Sequence, residues 1–209
     1  MYFIKNIAPV PESYQNRSPH LPPKRTDAPK ITLVLDLDET LVHCETSQLS
    51  NPDYKFPIEF HGHLYEVWGR KRPFVDKFLS RVSQLFEVVI FTASQQVYAD
   101  YILDELDTNG VIDHKLFRDS CVHVGGNYLK DLSILGRDLS KVIIVDNAIT
   151  SFAYQVPNGI PIISWYEDTK DRELLDLLPF LEKLADVDDV RPHLEKAFSI
   201  QDQIDSLKN

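Results

Sequence analysis

Residues 31–40 read Ile-Thr-Leu-Val-Leu-Asp-Leu-Asp-Glu-Thr, a short apolar run that ends in two aspartates separated by one leucine. A β-rich run with so little polar alternation is typical of a strand that helices cover on both faces of a parallel sheet. Residues 87–91 and 141–145 have the same character, and residues 160–163 predict an edge strand that tolerates Pro161. The sequence therefore predicts a parallel sheet that includes these four runs.

Amphipathic patterns of helical period lie between the predicted strands. The predicted helices cover residues 74–86 after Pro73, residues 97–106, residues 172–184, where Pro179 should kink or divide the helix, and residues 190–207. Strands that alternate with helices imply an α/β fold with a doubly wound, Rossmann-like parallel sheet. Residues 55–68 break this alternation, and two β-rich runs joined across His61 and Gly62 predict a small β-hairpin inserted within about residues 45–70.

The chain is predicted to form one domain over residues 30–209, preceded by an extended arm over residues 1–29. The arm holds six prolines and no sustained apolar periodicity. No run approaches the roughly 18 apolar residues of a membrane span, and the start of the chain lacks the pattern of a signal peptide. We therefore expect an intracellular protein without a membrane partner.

The charge and the cysteines exclude other classes of protein. A formal net charge of -10 argues against direct nucleic-acid binding, because that affinity comes mainly from Lys and Arg side chains that neutralise phosphates. Cys44 and Cys121 are too few for a disulfide framework and are expected to be reduced thiols. Nothing in the composition demands more than a monomer.

Polar side chains follow three of the predicted strands, at the point where each strand ends. They are Asp36 and Asp38 after the first strand, Thr92 and Ser94 after the second, and Asp146 and Asn147 after the third. Ligands of open α/β sheets bind beyond the carboxyl ends of the strands, so these groups predict a magnesium site that faces a phosphate. Each residue alone could equally be a turn residue or a helix N-cap, but the combination favours a site.

Two other constellations could bind zinc in principle, namely His61 with His63 and Cys121 with His123. Simple alternation along strands explains both more economically.

Several motifs resemble those of a known family. Asp36-x-Asp38-x-Thr40 resembles the first motif of the haloacid dehalogenase superfamily in its phosphatase form. The segments 35–43, 71–73, 91–94, 127–132, 136–139 and 145–147 resemble the small phosphatases of the RNA polymerase II C-terminal domain. The resemblance runs from about residue 32 to residue 191, and residues 3–5 of the arm resemble one subgroup of these enzymes.

The resemblance implies a role for each acidic residue. Asp36 would attack phosphorus and become an aspartyl phosphate, because a carboxylate oriented by a metal is a competent nucleophile. Asp38 would protonate the leaving hydroxyl group and later activate water. Mg²⁺ would be held by Asp36, the backbone carbonyl of Asp38 and Asn147, with Asp146 supporting these ligands from behind.

The resemblance also implies the groups that contact the phosphate and the substrate. Thr92 and Lys130 would neutralise the phosphoryl oxygens. Thr40, Arg118 and Tyr98 are expected to bind the substrate, and Tyr98 could line an apolar pocket together with Phe56 and Ile58.

The spacing of the motifs bears on the substrate. About 54 residues separate Thr92 from Asp146, which leaves no room for a large cap, so the site should be open. An open site suits a phosphoserine or phosphothreonine on a protein segment. The resemblance therefore implies a magnesium-dependent protein phosphatase, in the nucleus more than in the cytoplasm, whose partner is a phosphoprotein such as the RNA polymerase II C-terminal domain.

Other interpretations remain open. One is an inactive protein-interaction module of the same fold, against which the retained Asp38 argues. Another is a phosphatase of a lipid-synthesis regulator at the nuclear envelope, for which no membrane anchor is visible. Where the resembling enzymes continue Asp-Asn-Ser-Pro, this chain has Ala148 and Ile149 after Asn147, so we expect lower or shifted activity at worst.

Overall fold

The centre of the molecule is a five-stranded parallel sheet, seen in a computed structural model that describes residues 1–15, 17–60 and 62–207. The strands of the molecule are β1 Ile31–Leu35, β2 Val42–Glu45, β3 Tyr54–Phe60, β4 His63–Lys71, β5 Phe86–Phe91, β6 His114–Leu116, β7 Val122–Val124, β8 Asn127–Leu129, β9 Val142–Asp146 and β10 Gly159–Pro161. The α-helices are α1 Tyr2–Lys5, α2 Glu12–Gln15, α3 Val75–Val82, α4 Gln96–Leu106, α5 Glu173–Leu184, α6 Arg191–Phe198 and α7 Ile200–Asp205. The 3₁₀ helices are Arg118–Ser120, Leu132–Leu135, Leu139–Lys141 and Ile149–Asn158. Within these described ranges, no helix is both long and apolar enough to cross a membrane.

The sheet has the strand order β10-β9-β1-β5-β6, with every neighbouring pair parallel. Leu35, the last residue of β1, pairs with Ile90 of β5 and with Val145 of β9, so the three strands end at the same level. The chain winds outward from β1 to β6 and then returns to β9 on the other side. This reversal creates a switch point between β1 and β9, where open α/β sheets bind their ligands. The predicted doubly wound sheet is confirmed, with β10 at one edge.

Apolar side chains pack on both faces of this sheet, which explains why its strands show so little polar alternation. Leu33 and Leu35 face a core formed with α3 to α6 and the antiparallel strands. Val34 faces a second core that includes residues of α1, α7 and the 3₁₀ helix Ile149–Asn158. All five residues of β1 are buried, so the strand fixes the position of Asp36 rigidly.

Two predicted helices differ from their predicted bounds, and a third keeps its bounds but is not divided at its proline. The predicted helix 74–86 is shorter, since Phe74 lies before α3 in a left-handed conformation and Phe86 already begins β5. Helix α5 is not divided, and Pro179 lies inside it. The last predicted helix is two helices, because Ser199 adopts a left-handed conformation, with φ 48°, between α6 and α7.

The predicted hairpin is present as β3 and β4, and β2 extends it to a three-stranded antiparallel sheet. Residue 61 is outside the described residues, and so are the predicted turn across it and the His61 zinc hypothesis. Position 69 requires glycine, because β4 passes closely between β2 and β3 at this point. A Cβ atom there would lie 2.6 Å from the Cys44 sulfur and 2.9 Å from the Tyr54 ring.

The arm over residues 1–29 differs from a fully extended segment, because it contains the single-turn helices α1 and α2. Ile4 and Leu21 are buried in the second core. These two apolar side chains attach the arm to the domain, although the spacing between them shows no regular period.

Candidate active site

Asp36 follows β1 at the switch point of the sheet and is almost fully buried. Its Oδ1 atom accepts a hydrogen bond from the Lys130 ammonium at 2.5 Å, and its Oδ2 atom accepts one from the Thr40 hydroxyl at 2.9 Å. Its backbone N–H donates to the Val145 carbonyl of β9 at 3.0 Å. The carboxylate is therefore held in one orientation from both sides.

The loop that follows Asp36 is fixed by a buried arginine. Arg72 is 1% exposed and donates to both carboxylate oxygens of Asp171 at 2.8 and 2.9 Å. The same guanidinium donates to the Thr40 carbonyl at 3.1 Å. Such a bidentate pair combines charge with geometric specificity, so it locks the position from which Thr40 reaches Asp36.

Lys130 links two carboxylates inside the protein. Its ammonium donates to Asp36 and, at 2.6 Å, to Asp146 Oδ2, and all three side chains are buried. Burial alone would lower the pKa of Lys130, but the Asp146 and Asp36 carboxylates outweigh it and raise the pKa above the ordinary value. Burial, with Asp146, also raises the pKa of Asp36, although Lys130 opposes the shift. Lys130 therefore carries its positive charge throughout the physiological range of pH.

Asp38 faces β5 and has a different set of partners. Its carboxylate accepts hydrogen bonds from the Tyr98 hydroxyl at 2.6 Å, the Ser94 hydroxyl at 2.7 Å and the Thr92 hydroxyl at 3.5 Å. Burial and the Asp38 charge raise the pKa of Tyr98, so the phenol keeps its proton and remains a donor. The two aspartates of one motif thus lie in distinct environments, one beside an ammonium and one among hydroxyl groups.

Asp146 and Asn147 close the site from β9. Besides Lys130, Asp146 accepts a hydrogen bond from the Ala148 N–H at 2.8 Å, so both of its carboxylate oxygens are engaged. The Asn147 amide donates to the Ser164 hydroxyl at 2.9 Å, and its Oδ1 atom lies 3.5 Å from the Thr40 hydroxyl. The Asn147 oxygen therefore points toward the same hydroxyl that binds Asp36.

These groups fit a divalent cation of the hard type. Within residues 1–15, 17–60 and 62–207, no three His, Cys, Asp or Glu side chains converge as a metal cluster. Ligation would instead combine Asp36, the Asn147 amide oxygen and the backbone carbonyl of Asp38, which are oxygen donors of the kind that Mg²⁺ prefers. The Thr40 hydroxyl contacts both Asp36 and the Asn147 amide oxygen and so brings these two donors together. Both carboxylate oxygens of Asp146 already accept hydrogen bonds, so Asp146 would support the ligands and not bind the metal directly.

Arg118 borders two adjoining pockets. One pocket of about 540 Å³ contains Asp36, Asp38 and Lys130, and the other, of about 430 Å³, is lined by apolar side chains that include Ile58. Arg118 lines both, so it stands between the buried carboxylates and the apolar pocket.

Contacts on either side fix the Arg118 side chain. Its Nε atom donates to the Ala93 carbonyl at 2.5 Å, and its guanidinium lies 4.8 Å from the centroid of the Tyr128 ring. A cation over an aromatic face at this distance is attracted by the ring.

Two residues that were predicted to bind the substrate contact Asp36 and Asp38 instead. Thr40 is completely buried and donates to Asp36, so it orients the carboxylate instead of meeting a substrate. Tyr98 does line the apolar pocket, but its hydroxyl is committed to Asp38. Ile58 lines the pocket as predicted, but Phe56 is not among its lining residues and stacks on Tyr101 with ring centroids 5.0 Å apart.

The sequence placed Ser94 at the site without indicating its partner, and it gave no role to Tyr128. Ser94 holds Asp38, and its position two residues after Thr92 was the available signal. Tyr128 supports Arg118, for which the sequence offers no signal, because the two residues lie on different elements.

The second zinc hypothesis finds no support in the described residues. Cys121 is buried with its sulfur 3.9 Å from the Thr92 carbonyl, and the His123 ring packs on Tyr128.

A doubly wound sheet with these groups at its switch point is characteristic of haloacid dehalogenase-type phosphatases. The chain belongs to the NLI interacting factor-like phosphatase family, whose model matches residues 31–191. Membership of this family implies a divalent metal ion, which agrees with the oxygen donors described above.

Curated relatives support the assignment over most of the chain. CTD small phosphatase-like protein 3 from Caenorhabditis elegans is 49% identical over 206 residues, which is 98% of this chain and 72% of the relative. CTD small phosphatase-like protein 2 from Dictyostelium discoideum is 58% identical over 180 residues, or 86% of this chain. The chain spans only 32% of that relative's length.

Solved structures of the RNA polymerase II CTD phosphatase Fcp1 have the same fold. One matches with a TM-score of 0.58 and 20% identity, covering 86% of this chain and 55% of Fcp1. A fission yeast Fcp1 bound to beryllium fluoride matches with a TM-score of 0.57 and 19% identity, covering 86% of this chain and 58% of the other.

Proposed function

We propose that this chain is a magnesium-dependent protein serine/threonine phosphatase that acts through an aspartyl phosphate at Asp36. One observation carries the proposal, namely the contrast between the surroundings of Asp36 and those of Asp38. Asp36 is buried between an ammonium and a hydroxyl group, whereas Asp38 is half-buried among hydroxyl donors on the wall of the same pocket. Two carboxylates in contrasting environments are typical of a nucleophile paired with a general acid.

In the proposed first step, an oxygen of Asp36 forms a bond to phosphorus as the bond to the serine or threonine oxygen breaks. Asp38 donates its proton to that leaving oxygen. Lys130 and Thr92 lie on the walls of the same pocket and stabilise charge on the phosphoryl oxygens. Mg²⁺, when bound, supplies further charge neutralisation at those oxygens.

In the second step, Asp38 accepts a proton from water, and the water oxygen bonds to phosphorus as the bond between phosphorus and the Asp36 oxygen breaks, which releases inorganic phosphate. Thr40 and Lys130 return the Asp36 carboxylate to its starting geometry through the bonds already described. The same pair of aspartates thus serves both halves of the reaction.

The substrate that we propose is phosphoserine in the RNA polymerase II C-terminal domain or in a similar phosphoprotein segment. A relative from Homo sapiens, Carboxy-terminal domain RNA polymerase II polypeptide A small phosphatase 1, is 50% identical over 167 residues, 80% of this chain and 64% of that protein. The apolar pocket beside Arg118, with Ile58, Val67 and Tyr98 in its lining, suits a proline or another apolar side chain near the phosphoserine. Such a substrate implies a nuclear location.

Turnover of a phosphoserine peptide by the purified chain tests the proposal. Asp36→Asn and addition of a chelator should each abolish turnover, whereas Asp104→Asn, at an exposed aspartate of α4, should leave it unchanged. Fluoroberyllate, which mimics an aspartyl phosphate, should raise the melting temperature of the wild type and not of Asp36→Asn. An inactive interaction module predicts no turnover and no fluoroberyllate shift, and that result would overturn the proposal.

A further inference from the structure

The arm over residues 1–29 contacts the turn that carries Arg118. Ser120 is the last residue of the 3₁₀ helix Arg118–Ser120 and is buried. The His20 Nδ1 atom lies 3.1 Å from the Ser120 hydroxyl, and Arg17 donates to the Ser120 carbonyl at 3.4 Å. Two side chains of the arm therefore bind one end of the turn whose other end is Arg118.

His20 is itself held in place by the backbone around it. Its N–H donates to the Ile134 carbonyl at 2.7 Å, and the buried Leu21 follows it. Pro19 lies so close to Gly136 that a Cβ atom there would be 2.8 Å from the proline. The imidazole is therefore presented to Ser120 from a fixed segment.

The arm also contacts the hairpin that carries Tyr128. A Cβ atom at Gly125, in the turn between β7 and β8, would lie 3.2 Å from the Phe3 ring, so the ring packs directly on this turn. Phe3 belongs to α1, whose neighbouring residue Ile4 is buried in the second core and whose Lys5 donates to the Leu207 carbonyl.

The hairpin has little support of its own. It is a two-stranded sheet of three residues in each strand, and an isolated two-stranded hairpin is marginally stable in water. Packing of the arm on the β7–β8 turn and of the 3₁₀ helix Ile149–Asn158 on β8 therefore supports the position of Tyr128.

Two of the elements that the arm contacts, the turn 118–120 and the β7–β8 hairpin, are joined by the contact between Arg118 and Tyr128. The geometry points to the arm as a clamp that positions this pair for a phosphopeptide, with His20 and Phe3 as its positioning residues. The inference rests on the proposed function and adds a part of the chain outside residues 31–191, the range of the family match.

The clamp should affect the binding of a phosphopeptide but not that of a small aryl phosphate. A small aryl phosphate needs the groups around Asp36 and no contact with the surface beyond them. A phosphopeptide extends past Arg118 toward the apolar pocket, so its binding depends on where that guanidinium lies. Loss of the clamp should therefore raise the KM for a phosphoserine peptide and leave kcat and aryl phosphate turnover unchanged.

Steady-state kinetics of the full chain on both substrates test the inference. His20→Ala and Phe3→Ala should each raise the peptide KM about three- to tenfold. The effect is smaller than the loss of a catalytic group, because each substitution only displaces Arg118 and Tyr128. His20→Asn, which keeps a polar nitrogen or oxygen near the Ser120 hydroxyl, should restore most of the wild-type KM. Lys24→Ala is the matched control, because Lys24 belongs to the same arm but bonds to Lys30 and Thr32 at the other end of β1.

A double-mutant cycle separates positioning from a general loss of stability. If His20 acts through Arg118, the variant His20→Ala/Arg118→Ala should have the same peptide KM as Arg118→Ala alone. Additive losses, or an unchanged peptide KM in both arm variants, would overturn the inference. If an arm variant is too unstable to assay, Ser120→Ala, which removes only a hydroxyl, should raise the peptide KM in its place. Failure of the proposed function is distinct, because the wild type would then turn over neither substrate.

Discussion

Replacing Lys130 with methionine should cost the metal-free protein about 3–5 kcal/mol of stability, the usual penalty for breaking a buried ion pair. The ammonium lies 2.5 Å from Asp36 Oδ1 and 2.6 Å from Asp146 Oδ2, with all three side chains buried. Methionine keeps most of the side-chain volume, so little of the loss should come from packing. The remaining cost is that of two buried carboxylates without a counter-charge.

Urea unfolding in the presence of a chelator measures this cost, with Lys170→Met at an exposed site as the control. Without Lys130, the two carboxylates take up protons more readily in the folded state, so the folded form loses stability as the pH rises. The difference from the wild type should therefore be larger at pH 8 than at pH 5, and Mg²⁺ should reduce it. A loss below about 1 kcal/mol at pH 8 would show that the carboxylates do not depend on this charge.

Three further predictions concern other groups. Asp38→Asn should lower kcat/KM about 10²–10⁴-fold for a phosphoserine peptide but far less for an aryl phosphate, whose leaving group needs no proton; equal losses would contradict the acid role. Burial would raise the pKa of Glu87, but hydrogen bonds and charges from Arg137 and the other partners of Glu87 lower this pKa to about 2. The ionised Glu87 side chain therefore stabilises the folded protein above pH 4.5, and this stabilisation is lost as the pH falls toward 2. Arg137→Met should therefore remove roughly 2–3 kcal/mol at pH 7 and make acid unfolding begin at higher pH, as circular dichroism would detect. Asp171→Ala should destabilise the protein by about 3–5 kcal/mol in urea unfolding, because Arg72 is left buried without its partner; a change within 0.5 kcal/mol would contradict this.

Four of the five strands of the central sheet could be predicted because each is a short apolar run, whereas the edge strand β6, His114–Leu116, has no such pattern and was not predicted. Asp36 and Thr92 follow strands β1 and β5, Asp146 is the last residue of β9, and parallel strands deliver such residues to one edge of the sheet. The sequence pattern was therefore sufficient to assemble the candidate site in outline.

The remaining features depend on contacts between segments distant in the sequence. Tyr128 and Arg118 meet through two short elements whose relative position no periodicity encodes. Ser199 interrupts a pattern that continues on both sides, because a left-handed residue leaves no signal unless it is glycine or asparagine. The arm appeared extended for the same reason, since its attachment relies on a few isolated apolar residues such as Ile4.

The most direct measurement of the central claim is chemical trapping of the covalent intermediate. The chain is mixed with a phosphoserine peptide and Mg²⁺, quenched in acid, reduced with borohydride and digested for mass spectrometry. An aspartyl phosphate is reduced to homoserine, so residue 36 should appear as homoserine only when substrate and metal were both present. Turnover that leaves Asp36 unmodified at every quench time, or homoserine at another aspartate, would contradict the account.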